Sequence, residues 1–407
     1  MEEKNYFPEP AKKPNINVPA GMNLYWNSNS GHWALRPISG YSTTYLKKEA
    51  FIPTKAKNDM SAINSMKSGN KTLSKAKKDK KDEFYTRMED IVNELKHYGK
   101  EFFEGKVVYC PCDKAFNLGR SNFVQFFIEH FVDWGIKKLI ATQYVEGGHG
   151  IKWVIECGDV NGNGYIDESE IDTYELSGDG DFASDECRKL MQECDIVVTN
   201  PPFSLFRPFV AQIMEFGKKF LIIGNQNAIT YKEIFPLIRD NKMWLGFSFN
   251  KTIDFIIPDS YEKYDRIDEN GNKIAKVPAI TWYTNLVHDK RLEGIYCPQR
   301  YNGRENKYPV YDNYDAIEVG HYTSTGKWEG SLDELPQDYD GIMGVPITFL
   351  GQYSPTQFEI VGMAAGNSAV NEFGKDAGYV RNSHDRGGCP VINAKRMYAR
   401  ILIRRKK

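Results

Sequence analysis

Four short apolar runs set the architecture: VVYCPC from Val107, KKLIATQYV from Lys137, DIVVTN from Asp195 and KFLIIGN from Lys219. None alternates cleanly between apolar and polar residues, as a strand with one wet face would; each reads as a strand buried on both faces. Between them, MEDIVNELKHYGKEFF, SNFVQFFIEHFVDWG, DECRKLMQEC and FRPFVAQIMEFG carry apolar residues at helical spacing. Short buried strands alternating with amphipathic helices predict a parallel, doubly wound α/β sheet. Phe123, Phe126, Phe127 and Phe131 form a stripe that is most simply core.

One of these strands ends in an unusual way. DIVVTN runs straight into Pro201 and Pro202, followed by Phe203. In open α/β sheets ligands sit beyond the carboxyl ends of strands, so this turn is a natural place for chemistry. Adjacent prolines fix two φ angles and remove two N–H donors, leaving a stiff turn rich in acceptors. An exocyclic amine, whose lone pair is delocalised into its ring, needs such acceptors to become nucleophilic. The Asn200 side-chain oxygen and the Pro201 carbonyl could each take one amine hydrogen, with Phe203 stacked on the base. A base reaches such a pocket only by leaving its duplex. The structural alternative is a rigid turn with Phe203 in the core and Asn200 as a cap.

Other features narrow the class. The seven cysteines are odd in number and irregularly spaced, which suits reduced thiols, and Cys110 and Cys112 lack a second Cys/His pair at zinc spacing. No run is long enough for a membrane span, and MEEKNYFPEP lacks the apolar stretch of a signal peptide, so a cytoplasmic protein is expected. The net charge of -1 hides two basic clusters. Lys71, Lys75, Lys77, Lys78, Lys80 and Lys81 form one; Arg400, Arg404, Arg405, Lys406 and Lys407 form the other. Either could track a nucleic-acid backbone, or be a solvated linker and a soluble tail.

Residues 1–80 are polar, with scattered aromatics such as Tyr25, Trp26 and Trp33, and read as an extension with little core. The catalytic domain is expected over 81–250. Residues 251–407, with strand-like FIIP, ITWYTNL, GVPITFL and QFEIVG, suggest a β-rich target-recognition region that returns strands to the sheet.

Taken together, KKDEFYTR, VVYCPCD with SNF, GDGDF, DIVVTNPPFSLF, KKFLIIGNQNAITYKEIF, ITWYTNL, YDGIMGVPITFL and YARILIRRK resemble the EcoRI-type adenine-specific DNA methyltransferases from about Lys75 onward. The resemblance implies a Rossmann-like, S-adenosylmethionine-dependent fold that methylates adenine N6 in double-stranded DNA, needing no metal and accompanied by a cognate restriction endonuclease. Phe84, Tyr85 and Thr86 then look like the first cofactor-binding segment, although Thr86 with Glu89 also reads as a helix cap. Cys112 and Asp113 would contact the cofactor's methionine part. Ser121, Asn122 and Phe123 would stand in for the usual glycine-rich loop, since CDKAFNLGRSNF has only Gly119. Asp181 and Phe182 would meet its adenine, and Asn200 would border both cofactor and target. Glu146 stands two residues late for a ribose-binding acid and is not assigned. Methylation of an RNA adenine or a protein glutamine, or an inactive DNA-binding module, are the competing readings; Phe203 and the long C-terminal region favour DNA.

Residues 159–170, DVNGNGYIDESE, match a twelve-residue calcium loop at Asp159, Asn161, Asn163, Gly164, Tyr165, Asp167 and Glu170. Its flanks, KWVIEC and TYELSG, read as strands where helices are required. A polar hairpin tip is the preferred reading.

Overall fold

The computed structural model describes residues 22–27, 32–37, 44–45, 84–113, 121–258, 261, 263–322, 328–329, 334–366 and 370–406. The lysine cluster at 71–81, Gly119 and Lys407 lie outside them. The chain is mixed α/β, in two compact units.

The first unit comprises 1–91, 103–195 and 253–278. Val107–Pro111, buried along its whole length, pairs in parallel with Lys138–Gln143. Ile151–Ile155 and Asp172–Glu175 follow antiparallel, so the segments flanking the calcium-like loop are two arms of one hairpin. Asp195 fixes the start of the first strand: its Oδ2 accepts from Val107 N at 2.8 Å, and its own N donates to Val107 O at 2.9 Å. Helix Asn122–His130 buries Phe123, Phe126 and Phe127, and Phe103 packs on Phe127 and Trp134. The aromatic stripe is core.

A second sheet in this unit joins Tyr85–Thr86 to Asp254–Ile257, which pairs in turn with Lys273–Lys276. Tyr85–Thr86 are therefore a strand, preceded by Phe84, whose ring lies against Phe255 and Tyr261. The polar N-terminal region is not wholly irregular: Met22–Asn27, His32–Pro37 and Thr44–Tyr45 form an antiparallel meander.

The second unit comprises 92–102, 196–252 and 279–407. Ile196–Thr199 runs parallel to Lys219–Asn225, which pairs antiparallel with Ile280–Thr284. Helix Phe206–Glu215 lies between the parallel strands in sequence and tolerates Pro208 in its first turn, where an N–H has no intrahelical partner. The helix expected over 88–103 stops at Leu95. His97 N and Tyr98 N bond to carbonyls three residues back, tightening the chain before Gly99. Glu94 is fully buried there, accepting from Phe247 N at 2.7 Å, Ser248 N at 2.9 Å and the Tyr98 hydroxyl at 2.7 Å.

The other sheet of this unit runs Ala316–Glu318, Ile342–Pro346, Arg400–Arg405, Phe358–Ala364. This corrects the expectation of a basic tail, because the C-terminal arginines belong to an interior strand. Arg400 is 1% exposed and donates to both carboxylate oxygens of Glu318, equally enclosed. Arg404 pairs with Glu359, and Arg405 lies over Phe358. Residues beyond 250 do not form one block: 253–278 pack in the first unit and 279–407 in the second.

Candidate active site

Within the first unit, three of the segments singled out in the sequence meet at the end of Val107–Pro111. Ser121 caps helix Asn122–His130, its hydroxyl accepting from Phe123 N at 3.2 Å while donating to the Asp113 carboxylate. Asp113 is buried, and its N–H donates to Thr142 O at 3.0 Å. Asn122 reaches the other way, donating from Nδ2 to Thr86 O at 2.7 Å. The left-handed backbone at Cys112 (φ 65) turns the chain into Asp113.

Thr86 is 4% exposed, and its hydroxyl has no hydrogen-bond partner among the described residues. It therefore does not cap the following helix. A buried hydroxyl left this way is a polar atom that a ligand can satisfy. Burial, followed by the Asp113 carboxylate, pushes the Cys112 thiol far above its ordinary range. A protonated thiol is a poor nucleophile.

The GDGDF loop is held by glycine contact. A Cβ at Gly150 would lie 2.6 Å from Gly180 Cα, and Gly180 itself has φ +82. Val145 N donates to Asp179 O and Gly150 N to Gly178 O, both at 2.8 Å, tying this loop to the turn after Lys138–Gln143. Asp181 is exposed, its Oδ1 accepting from Ala183 N at 2.8 Å. Phe182 is 7% exposed, so at most an edge of its ring is available to a ligand.

In the second unit, Ile196–Thr199 is wholly buried and delivers Asn200 to its carboxyl end. Pro201 is buried; Asn200, Pro202 and Phe203 are half-buried. Phe203 opens a short 3-10 turn, Phe203–Leu205, whose N-cap is Pro202 without a side-chain cap bond. Asn200 is thus no cap of this turn, and Phe203 is only half-buried. Behind the turn, Phe206 packs against Tyr283 at 5.0 Å between ring centroids. Gly224 makes room for it: a Cβ there would come within 2.3 Å of the Phe206 ring. The buried Tyr283 hydroxyl donates to Asn225 O at 2.8 Å. The supporting role of Gly224 and Tyr283 is not legible in KFLIIGN and ITWYTNL taken alone; the one sequence signal is a glycine near the end of an apolar strand.

The calcium-like loop closes on itself. Asp159 accepts from Asn163 N and Gly164 N, Glu170 Oε1 from Val160 N at 2.7 Å, and Asp167 caps a short 3-10 turn, Glu168–Glu170. Glu146 is exposed.

Three relatives define the class. Type II methyltransferase M.EcoRI of Escherichia coli is 43% identical over 350 residues, covering 83% of this chain and 97% of its own length. Type II methyltransferase M.MpnI of Mycoplasma pneumoniae is 37% identical over 343 residues, covering 82% and 98%. Type II methyltransferase M.MgeORF184P of Mycoplasma genitalium is 33% identical over 340 residues, covering 82% and 99%. No solved structure matches. The chain belongs to the adenine-specific EcoRI methyltransferase family, whose model matches residues 72–406.

Proposed function

We propose that this protein transfers a methyl group from S-adenosylmethionine to the N6 atom of an adenine flipped out of double-stranded DNA, at one recognition sequence. The observation that carries this reading is the Asn200-Pro201-Pro202-Phe203 turn, half-buried except at the buried Pro201, at the carboxyl end of a buried parallel strand. The parallel pairs Val107–Pro111 with Lys138–Gln143 and Ile196–Thr199 with Lys219–Asn225 support a doubly wound, Rossmann-like methyltransferase sheet.

Asn200 and the Pro201 carbonyl accept the two amine hydrogens and turn the nitrogen lone pair outward, while Phe203 stacks on the base. Fixing these acceptors before the reaction lets them stabilise charge as it develops on nitrogen. Phe84, Tyr85, Thr86, Cys112, Asp113, Ser121, Asn122, Phe123, Asp181 and Phe182 would hold the cofactor, which supplies an electrophilic methyl on a sulfonium when bound. Neither a metal nor a covalent nucleophile is required of the protein. Residues 251–407 contribute target recognition, and 1–80 extend the catalytic region. We place the protein in the cytoplasm with its DNA, paired with a restriction endonuclease of the same specificity.

The test is expression in a host without adenine methylation, followed by single-molecule sequencing. N6-methyladenine confined to one sequence is expected. Methyl transfer found only on RNA or protein would overturn the reading.

A further inference from the structure

Arg400 is buried on Glu318 and Arg404 is paired with Glu359, whereas a second group of cations in this unit is exposed. Arg381, Arg386, Lys395 and Arg396 are all exposed within 380–398, a segment whose single acid is Asp385. That acid is turned into its own loop, where it accepts from the Tyr379 hydroxyl at 2.9 Å, Asn382 N at 3.0 Å and Gly387 N at 2.9 Å.

The segment is fixed by three consecutive residues. Asp312 accepts from Asn393 N at 3.2 Å and Ala394 N at 2.8 Å, holding the turn between strands Val391–Ile392 and Lys395–Arg396. Both turn residues are left-handed, with φ of 50 and 60, an uncommon state for alanine. Asn313, 2% exposed, donates to Cys389 O at 2.8 Å and accepts from Val391 N at 3.0 Å. Tyr314 donates its hydroxyl to Gly388 O, and its ring lies 5.1 Å from that of Tyr379. A loop and a hairpin rich in cations thus hang from one strut, buried at Asn313 and Tyr314 and charged at the surface.

We infer that residues 380–398 are the element with which this protein grips and reads duplex DNA. The inference rests on the DNA methyltransferase reading above and narrows its partner contact to these side chains. Lys395 and Arg396, on the hairpin, suit phosphate contact, and a two-stranded ribbon fits the major groove. Arg381 and Arg386, flanking the turn fixed by Asp385, suit guanine O6 and N7, because a guanidinium fork reads that edge only from a fixed backbone.

The experiment compares the wild type, Lys395→Ala/Arg396→Ala, Arg381→Ala and Arg386→Ala on long unmethylated duplex DNA with radiolabelled cofactor. Binding is measured across a salt series, and modified positions are mapped. The hairpin double variant should raise the KM for DNA by about tenfold or more and lower the slope of log affinity against log salt by about two. Each loop arginine variant should lose methylation at the wild-type sequence or spread it to related ones. Glutamine replacements at these exposed positions serve wherever an alanine variant fails to fold. A wild type that methylates DNA beside variants with unchanged KM, salt slope and target sequence overturns this inference alone. A wild type that binds cofactor yet methylates no DNA overturns the underlying reading, and this one with it.

Discussion

Asn122 Nδ2 donates to the Thr86 carbonyl at 2.7 Å, so the helix that follows the Val107–Pro111 strand is tied to the short strand carrying Phe84, Tyr85 and Thr86. Two segments 36 residues apart in sequence become one cluster, the one proposed to hold the cofactor. Asn122→Ala removes a part-buried hydrogen bond, at a cost of about 1 kcal/mol. Lower thermal stability and cofactor affinity weakened by about tenfold are expected. Isothermal titration checks it: a variant with reduced stability but wild-type affinity would make the contact purely structural.

Asp90 gives a pH dependence of definite sign. Burial raises its carboxyl from the ordinary 3.8 to about 6, Asp254 adds to the rise, and Arg87 opposes it. Its Oδ2 has no hydrogen-bond partner among the described residues. Because the folded state holds this proton more tightly, the group's stabilising contribution is present below 3.8 and lost as pH rises through about 6. Asp90→Asn should therefore raise Tm relative to wild type more at pH 8 than at pH 4. An equal difference at both values would contradict it.

The Arg400–Glu318 pair, with the Tyr311 hydroxyl on the same carboxylate, sits in the interior of the second unit. Burial holds Glu318 above the usual carboxylate range despite the arginine. Arg400→Met alone should cost about 3–5 kcal/mol, whereas Arg400→Met with Glu318→Leu should recover most of that. Urea unfolding reads both. A double variant as unstable as the single one would rule out an uncompensated charge as the cause.

What could be read from the sequence follows the range of the forces involved. The strands at 107–111, 138–143, 196–199 and 219–225 announce themselves because a run buried on both faces must be apolar throughout. The hairpin arms around the calcium-like loop were equally clear, since two strand-like runs bracket a polar turn. Residues 84–86 were harder: a two-residue strand has no periodicity, and its partner Asp254–Ile257 lies far along the chain. The same blindness turned Arg400 into a tail residue, because Glu318 is 82 residues away. Asn200 and Phe203 stood out through their covalent setting between strand and prolines, whereas Tyr283 and Gly224 acquire their supporting role only through the packing of Phe206.

The loop at 159–170 offers a test of metal dependence. Its carboxylates already accept from backbone N–H groups of the same loop. Chelation with EDTA should leave methyl transfer unchanged, as should Asp159→Ala. Inhibition by EDTA that calcium alone reverses would make the loop an ion site the enzyme depends on.

In the proposed reaction Asn200 activates the target amine. Measured with radiolabelled cofactor on DNA containing the recognition sequence, Asn200→Ala should reduce methyl transfer by about 100-fold or more, while cofactor affinity in the same preparation stays close to wild type. Wild-type turnover by that variant would contradict the account.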